Sequence, residues 1–340
     1  MPFVPKRVLF EKEALNYPLG QKLYRRFNEE GIPIQWVASH NRITGIPGRT
    51  PQEAYLEAKR TLVVGVRRTL KFETCRPSAH YQLPLNTSCT GKCEYCYLHT
   101  TLGSRPYLRV YVNVDEILAA ADRYIQDRAP EVTLFEGAAT SDPIPAERYT
   151  GSLKKAVEFF GRQELGRFRF VTKFTEVDSL LDADHRGHTR FRFSINTRHV
   201  IKRFEHDTPG VEERLEAAKK VAAAGYPLGF IIAPIMVYSG WEEEYRDLLA
   251  ELRKTLGPAA EGDVTFELIS HRFTARAKKR ILEVFPSTTL PMEEDQRKFK
   301  FGQFGYGKFV YPKETLEELK SLFHREIDTY FPSAIIEYLV

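Results

Sequence analysis

The stretch that most constrains this chain is Cys89-Thr90-Gly91-Lys92-Cys93-Glu94-Tyr95-Cys96-Tyr97, which places three of the four cysteines at C-x3-C-x2-C spacing. It comes shortly after a strand-like run, His80 to Leu85. Three thiolates this close in sequence can converge on one metal centre without help from the rest of the fold. The stretch therefore predicts a metal site, and the number of protein ligands decides its kind.

An iron–sulfur cluster with four irons is normally held by four cysteines. Three cysteines leave one iron able to take a ligand that is not protein. That open position suits the amino-acid end of S-adenosylmethionine, and one electron from the cluster into the sulfonium would release a 5′-deoxyadenosyl radical. Such radical chemistry belongs to the cofactor, while the protein binds and orients it. The spacing favours this open cluster.

Zinc is the alternative, because a structural zinc ion takes four cysteine or histidine ligands. His99 lies three residues past Cys96, and Cys75 lies fourteen residues before Cys89, so either residue is a possible fourth ligand. A pair of C-x2-C motifs would favour zinc, and the sequence has no such pair.

Length and composition indicate a soluble globular protein. The chain has 340 residues, 42% of them hydrophobic and 28% charged, with a net charge of +5. No apolar run approaches the roughly 20 residues of a membrane helix, and the N-terminus lacks the apolar core of a signal peptide. We therefore expect a cytoplasmic protein without a membrane partner, in which clustered cysteines bind metal rather than form disulfides.

From residue 80 onward, strand patterns alternate with helix patterns, which predicts parallel βαβ units. The predicted strands are His80–Leu85, Val132–Glu136, Arg167–Phe174, Thr189–Asn196, Leu228–Ile235 and Val264–Ser270. The predicted helices between them are Val114–Arg128, Glu147–Gln163, Val211–Gly225 and Trp241–Leu256. We expect Thr208 to cap the third helix and Pro209 to lie in its first turn. Six strands predict an α/β fold with a partial (βα)6 TIM-type barrel.

The remaining segments complete the predicted domain organisation. Residues 1–78 form an N-terminal extension with a helix-like stretch, Glu11 to Glu30, a short helix, Pro51 to Lys59, and a strand, Thr61 to Val66. Residues 79–271 form the partial barrel. Residues 272–340 form a C-terminal region with a β-hairpin, a packing helix, Lys313 to Tyr330, and a final strand, Ala334 to Val340.

Polar residues recur where the predicted strands end, and in barrels of this kind active sites gather at that end. Lys173 is suited to a carboxylate, while Ser194 and Asn196 are suited to ribose or carboxylate oxygens. His271 follows the sixth strand, but a single histidine at a strand end is more often structural, so we assign it no catalytic role.

Two adjacent C-terminal segments predict a nucleic-acid partner. Residues 271–280 carry five formal positive charges and no acid, and residues 298–311 alternate aromatic with basic or small residues, as in a hairpin that turns near Gly305. Basic side chains there would bind phosphates, and aromatic ones would stack on bases. The residues predicted to contact nucleic acid are Arg272, Arg276, Lys278, Lys279, Lys298, Lys300, Tyr306 and Lys308.

The cysteine motif with an aromatic residue after its last cysteine resembles the radical S-adenosylmethionine superfamily. Together with Thr140-Ser141-Asp142 and the basic and aromatic tail, it resembles the spore photoproduct lyase family over essentially the whole chain. The resemblance implies repair of the spore photoproduct, a thymine dimer (5-thyminyl-5,6-dihydrothymine), in double-stranded DNA of spore-forming bacteria. It also implies a one-electron reductant of the flavodoxin or ferredoxin type.

The resemblance also implies the roles of individual residues. Cys89, Cys93 and Cys96 would hold a [4Fe-4S] cluster, and Cys75 would not. The residues implied at the S-adenosylmethionine site or its edge are Tyr97, Ser141, Lys173, Ser194 and Ala233, and Ser141 would also meet the DNA. The deoxyadenosyl radical would take a hydrogen from C6 of the lesion, and the methylene bridge between the thymines would then break.

In one position the sequence departs from the family pattern. The family has a cysteine directly before Thr-Ser-Asp, which gives a hydrogen atom to the thymine-methyl radical, and tyrosines matching Tyr95 and Tyr97 pass the radical back. Here that position is Ala139. We therefore expect impaired final hydrogen transfer, with binding and initiation retained. Two alternatives stay open: another radical S-adenosylmethionine enzyme acting on nucleic acid, and a zinc-stabilised nucleic-acid-binding module without catalysis.

Overall fold

The computed structural model describes residues 2–301 and 307–340, apart from the side chain of His99. Its α-helices in chain order are α1 Pro18–Glu29, α2 Pro51–Lys59, α3 Leu98–Thr101, α4 Val114–Gln126, α5 Ile144–Thr150, α6 Ser152–Gly161, α7 Arg198–Phe204, α8 Val211–Ala223, α9 Trp241–Leu256, α10 Ala275–Val284 and α11 Lys313–Tyr330. Short 3-10 helices cover Lys12–Asn16, Asp178–Leu180, Gly257–Glu261 and Glu294–Gln296.

Most of the β-strands are short, and many have only two to five residues. In chain order they are β1 Arg7–Glu11, β2 Ile34–Val37, β3 Thr61–Gly65, β4 Thr74–Cys75, β5 Ala79–Gln82, β6 Asn86–Thr87, β7 Lys92–Cys93, β8 Leu108–Tyr111, β9 Thr133–Glu136, β10 Gly166–Thr172, β11 Thr189–Ile195, β12 Glu205–His206, β13 Leu228–Ile235, β14 Val264–Ser270, β15 Lys298–Phe301, β16 Gly307–Val310 and β17 Ile335–Leu339.

The chain divides into two compact units, whose boundaries differ from the three predicted segments. The first unit comprises Met1–Gly91 and Thr101–Arg190, and the second comprises Lys92–Thr100 and Phe191–Val340. The division into an extension, a barrel and a C-terminal region stays a prediction.

A mostly parallel sheet forms one half of the first unit, with strand order β2-β1-β3-β8-β6. β1 pairs in parallel with β2 and β3, and β3 pairs in parallel with β8. Every residue of β1 and β3 is buried, as expected for inner strands of a parallel sheet covered on both faces. Side chains of β1, β3, β8 and α1 form a common hydrophobic core.

The sequence predicted too little of this sheet. Short apolar runs such as Arg7–Glu11 and Leu108–Tyr111 have no period that separates a buried strand from a helix segment. The predicted helix-like stretch from Glu11 to Glu30 is a 3-10 helix followed by α1, because Pro18 starts a new helix. The prediction of α2 is confirmed, and its Thr50 cap accepts a hydrogen bond from the Glu53 N–H.

The other strands of the first unit follow the order β4-β5-β9-β10, and β9 lies parallel to both β5 and β10. The single helix predicted from Glu147 to Gln163 is wrong, because α5 and α6 are separate helices. Gly151 between them has φ 62°, in the left-handed region that a continuous helix excludes. The buried Glu147 carboxylate accepts the N–H groups of Leu153 and Lys154 at 2.7 and 3.0 Å, which caps α6.

In the second unit β11, β13, β14 and β17 are neighbours in this order, and β13 pairs in parallel with both β11 and β14. The predicted bounds of β13, β14, α9 and α11 are confirmed. The predicted Thr208 cap of α8 is wrong: the helix begins after Gly210, whose N–H is bound by the Glu213 carboxylate at 2.7 Å. The Thr208 hydroxyl instead donates to the Glu205 carbonyl.

The predicted hairpin is present as the antiparallel pair β15 and β16. Its predicted turn near Gly305, and Tyr306, lie outside the described residues. The parallel strands with intervening helices confirm the predicted α/β class. Among the residues that the structure describes, no helix combines the length and apolar character needed to cross a membrane.

Candidate active site

The segment that leads into the cysteine stretch is tied to the Thr140-Ser141-Asp142 segment by backbone hydrogen bonds. Ser88 forms a parallel bridge with Ser141, in which the Ser88 N–H donates to the Thr140 carbonyl at 2.8 Å and the Asp142 N–H donates to the Ser88 carbonyl at 3.2 Å. Ser88 has φ 70°, and its buried hydroxyl donates to the Pro106 carbonyl. Three hydrogen bonds therefore fix the position of Ser88, the residue before Cys89.

The Cys89 backbone is held by Lys59, a residue that no sequence pattern indicated. The Lys59 side chain is 3% exposed, and its Nζ donates to the Cys89 carbonyl at 2.7 Å. The Gly91 N–H points at the Cys89 Sγ at 3.2 Å. A backbone N–H directed at sulfur stabilises a thiolate, the form of cysteine that binds metal.

Asp142 is buried at the end of the same segment. Its carboxylate accepts the Thr172 hydroxyl at 2.8 and 2.9 Å and the N–H groups of Lys173 and Ile144 at 2.9 and 3.2 Å. Burial raises the pKa of Asp142 to about 6, although these hydrogen bonds and the Lys173 charge act in the opposite direction. This carboxylate connects the Thr-Ser-Asp segment to the end of β10.

The structure brings three of the predicted site residues to this part of the first unit. Ala139 lies in the half-buried turn between β9 and Asp142. The Ser141 hydroxyl contacts the Asn86 Oδ1 at 3.2 Å and the Gly137 carbonyl at 3.3 Å. Lys173 contributes its backbone N–H to Asp142.

In the second unit the rest of the cysteine stretch pairs with β12. Glu205 lies opposite Cys93 and His206 opposite Lys92 in an antiparallel ladder. The Lys92 Nζ lies 2.5 Å from the Asp207 Oδ2. These contacts fix the backbone around the second cysteine.

The acidic residue of the motif, Glu94, joins two further segments to this ladder. Its buried carboxylate is 2.6 Å from the His206 Nε2 and accepts a hydrogen bond from the Thr288 hydroxyl. The Glu94 N–H donates to the Phe204 carbonyl. Glu94 thus links the cysteine stretch to the region that precedes the basic hairpin, a role that no sequence pattern indicated.

The two predicted tyrosines have different surroundings. The Tyr95 hydroxyl donates to the Glu205 carboxylate, and burial, reinforced by the Glu205 charge, raises the pKa of Tyr95 well above its usual range. The Tyr97 side chain is 54% exposed. Tyr95 is thus fixed by the charged neighbour Glu205.

The residues predicted at the strand ends of the second unit differ in burial and in how far their polar groups are already hydrogen-bonded within the protein. Ser194 is buried, and its carbonyl accepts a hydrogen bond from Arg214 at 3.0 Å. Asn196 is fully buried, and its amide bonds Pro234, Thr197 and the Tyr245 hydroxyl, each at 2.9 Å. Ala233 is half-buried on β13. The Asn196 contacts favour a structural role for that side chain.

His271 also has a structural environment. It is 2% exposed, and its Nδ1 lies 3.2 Å from Arg297, whose other nitrogen donates to the His271 carbonyl. Burial and the Arg297 charge lower the pKa of His271 to about 3. The imidazole is therefore neutral at physiological pH, in agreement with its expected structural role.

Apart from Ser141, the described residues predicted to contact nucleic acid lie in the second unit, and all of them are lysines or arginines. Lys300 and Lys308 lie directly opposite each other in the hairpin, and burial together with the Arg272 and Lys300 charges lowers the pKa of Lys308. Phe301 is 75% exposed on the same hairpin. Lys278 differs, because its Nζ is 3.0 Å from the Glu294 carboxylate. Arg276, Lys279 and Lys298 are exposed, and among the described residues none of the three has an ion-pair partner.

The residues best suited to bind a metal are the cysteines, because their thiolate sulfurs are metal ligands. Cys93 is buried, while Cys89, Cys96 and Cys75 are half-buried, and none of the four forms a disulfide. Within residues 2–301 and 307–340, no three His, Cys, Asp or Glu side chains converge as metal ligands do. The fit to a thiolate-bound cluster therefore rests on the three closely spaced thiols and on the N–H directed at Cys89.

Comparison with known proteins resolves the class of the chain. A sequence profile described as spore photoproduct lyase matches residues 3–340. A spore photoproduct lyase from Geobacillus sp. is 54% identical over 337 residues, which cover 99% of both chains. One from Bacillus subtilis is 52% identical and covers 99% of this chain and 98% of the relative. The chain belongs to the spore photoproduct lyase family.

Solved structures agree with this assignment. A spore photoproduct lyase with a cysteine-to-alanine and a serine-to-cysteine replacement, bound to AdoMet and dinucleoside spore photoproduct, is 55% identical to this chain. The match covers 100% of both chains with a TM-score of 0.97, so the fold is shared. Membership of the spore photoproduct lyase family makes the chain a lyase and excludes the non-catalytic zinc module as its class.

The buried carboxylate Asp142 predicts a pH dependence of stability. Its pKa is raised from 3.8 to about 6, so the folded protein holds this proton more tightly than the unfolded chain. The resulting stabilisation is complete below the unfolded pKa and is lost as the pH rises through 6, a change of about 3 kcal/mol. In Asp142→Asn this loss should disappear from urea unfolding curves measured between pH 4.5 and 7.5.

A second carboxylate provides the internal control. Burial raises the pKa of Glu147 to about 7, so its share of the pH dependence should persist in both proteins. An identical loss of stability between pH 4.5 and 6 in the wild type and in Asp142→Asn would contradict the assignment.

Proposed function

We propose that the chain is a DNA-repair lyase that converts the spore photoproduct in double-stranded DNA back to two thymines, with S-adenosylmethionine and a [4Fe-4S] cluster as cofactors. The observation that carries the proposal is identity above 50% over nearly the whole chain to relatives named spore photoproduct lyase. The related structure that contains AdoMet and dinucleoside spore photoproduct supports the cofactor and the substrate.

Cys89, Cys93 and Cys96 would hold the cluster, and Cys75 on β4 would not. When bound, the cluster and S-adenosylmethionine supply the 5′-deoxyadenosyl radical. The chain contributes the fixed backbone around the first two cysteines, through Lys59 and through the ladder with β12. The donor chemistry of the three thiols supports this role.

Metal analysis tests the cofactor. Anaerobically reconstituted protein should contain about four irons and four sulfides per chain, as expected for one such cluster. Cys89→Ala, Cys93→Ala and Cys96→Ala should each lose it, because a site with two thiolates cannot retain the cluster. Cys75→Ala is the matched control and should keep full iron content. Stoichiometric zinc in the wild type, or iron loss in Cys75→Ala, would sink the assignment.

Five of the predicted site residues are candidates for binding S-adenosylmethionine. The candidates are Tyr97, Ser141, Lys173, Ser194 and Ala233. Asn196 is a weaker candidate, because its amide is already bonded to three protein groups.

The hairpin and α10 would bind the DNA backbone. Like charges placed directly opposite each other destabilise an antiparallel pair, so the Lys300–Lys308 pair is best explained by a polyanionic partner. Exposed Phe301 would provide an apolar group for an unstacked base step. Ser141, Arg272, Arg276, Lys279 and Lys298 complete the proposed contacts, while Tyr306 lies outside the described residues.

Salt-dependent binding tests this surface. Each lysine that contacts a phosphate contributes about 0.9 to the slope of log K against log salt concentration. Lys300→Ala and Lys308→Ala should each reduce that slope and weaken binding to damaged and undamaged duplex alike. Lys278→Ala is the matched control and should change the slope less, because Glu294 already neutralises this charge. Equal slopes in all four proteins would show that the hairpin lysines are merely solvated.

We further propose that Ala139 limits the last step. A methyl group has no S–H bond, and its C–H bonds are too strong to quench a resonance-stabilised thymine-methyl radical. Cluster assembly, cofactor binding and initiation do not depend on that side chain. The product radical would therefore persist and react with solvent species or reductant.

Product analysis of Ala139→Cys tests this step. Both proteins should form 5′-deoxyadenosine with lesion-containing DNA, but Ala139→Cys should give more unmodified thymine and fewer adducts by mass spectrometry. Ala139→Ser is the control, because its stronger O–H bond should not rescue repair. Equal, clean repair by the wild type and Ala139→Cys would mean that position 139 is not the donor site.

The cellular setting is proposed from the family. A one-electron reductant of the flavodoxin or ferredoxin type would reduce the cluster, and the protein would act in the cytoplasm of a spore-forming bacterium, as the match to a Bacillus subtilis protein supports.

A further inference from the structure

Arg214 on α8 is a fully buried charge that none of the site assignments uses. Its Nη1 donates to the Ser194 carbonyl at 3.0 Å, and its Nη2 is 2.6 Å from the Glu205 Oε2. The same guanidinium also donates to the Pro209 carbonyl and to Thr208. One planar group thus spans the end of β11 and the strand β12.

The acid at the other end of this ion pair is equally buried and reaches the cysteine stretch. One Glu205 oxygen binds Arg214, and the other accepts the Tyr95 hydroxyl. The Glu205 backbone also lies opposite Cys93 in the ladder between β7 and β12. The chain of contacts therefore runs from β11, through Arg214 and Glu205, to the two residues that flank Glu94.

The physical consequence follows from burial. A charged pair that is fully desolvated is strongly destabilised when one partner is removed, because the remaining charge is left in an apolar environment. A guanidinium has five N–H donors in a fixed plane, so it orients several acceptors at once, whereas a lysine ammonium does not. The geometry around Arg214 thus sets the position of Glu205 closely, and Glu205 sets that of Tyr95.

We propose that Arg214 is a positioning residue for the metal centre, acting through Glu205 and Tyr95 to hold the segment with Cys93 and Cys96 in place. The inference rests on the proposed ligand role of those two cysteines. Arg214 touches neither the substrate nor the cofactor in this scheme. Its effect is on how firmly the thiolates retain the metal.

The second unit contains a matched control. Arg192 on β11 lies 2.5 Å from Glu267 on β14, both are buried, and the Glu267 carboxylate accepts the Tyr338 hydroxyl of β17. This is also an arginine–glutamate–tyrosine arrangement, but none of its three strands carries a cysteine. Variants of Arg192 therefore report the general cost of breaking a buried ion pair.

The experiment compares Arg214→Lys with Arg192→Lys in the full chain after anaerobic reconstitution. The readouts are iron and sulfide content, the rate of iron release to a chelator, the EPR spectrum of the reduced cluster with S-adenosylmethionine, and the urea midpoint of the protein without cluster. We expect similar losses of the urea midpoint in the two variants. Iron release should be about tenfold faster in Arg214→Lys only, as is typical when a residue that orients metal ligands is replaced, and its EPR spectrum should be altered.

Tyr95→Phe keeps the fold testable if Arg214→Lys is insoluble, because it removes one hydroxyl and leaves the ion pair intact. Tyr95→Phe should accelerate iron release by a smaller factor than Arg214→Lys. Tyr338→Phe, its matched control, should leave the rate of iron release unchanged. Iron release at the wild-type rate in Arg214→Lys would overturn the inference. If Arg214→Lys is insoluble, iron release at the wild-type rate in Tyr95→Phe would overturn it. A wild type that binds no metal would instead refute the proposed ligand role of the cysteines, and the inference with it.

Discussion

The cysteine stretch depends on hydrogen bonds from outside itself. Within it the structure describes one regular element, the two-residue strand β7, which is too short to hold a fixed shape alone. Backbone bonds from Ser88 to the Thr-Ser-Asp segment fix its beginning, and the ladder with β12 fixes the part around Cys93. The backbone conformation of the cysteine stretch is therefore set by residues outside it.

Buried charges supply much of that scaffold. Lys59, Glu94, Asp142, Glu205 and Arg214 are all at most 6% exposed. Each of them forms a hydrogen bond or an ion pair with a residue in a predicted site segment, or with a residue that contacts such a segment. Buried polar groups of this kind cost desolvation unless they are satisfied, so they tolerate few alternative arrangements. They favour one position of the loops over many.

The sequence predicted the parts of the protein that have a clear period or motif. The cysteine spacing, the bounds of β13, β14, α9 and α11, and the two strands of the hairpin all have strong local signals. The first-unit strands β1, β2 and β8 were missed because runs of four or five residues carry no distinguishing period. The break at Gly151 was missed because glycine within an apolar helical pattern is often tolerated.

The supporting residues of the site were missed for another reason. Lys59 is thirty positions from Cys89 in sequence, and Arg214 is twenty positions from Ser194. The Cys89 and Ser194 groups that they bind are backbone carbonyls, which carry no residue-specific signal in a single sequence. Asn196 shows the converse: its position at a strand end suggested a ligand contact, but its amide is used to hold Thr197, Pro234 and Tyr245. Only tertiary structure distinguishes these cases.

The facing lysines of the hairpin have a consequence for the free protein. Lys300 and Lys308 carry like charges directly opposite each other, and dissolved ions weaken the repulsion between them, with a screening length of about 10 Å at 0.1 M salt. Added salt therefore stabilises the pairing of β15 and β16 in the unbound protein. The same ions compete for phosphates and weaken association with a nucleic acid. Ionic strength would thus act with opposite sign on the stability of the free hairpin and on the proposed affinity of the hairpin for nucleic acid.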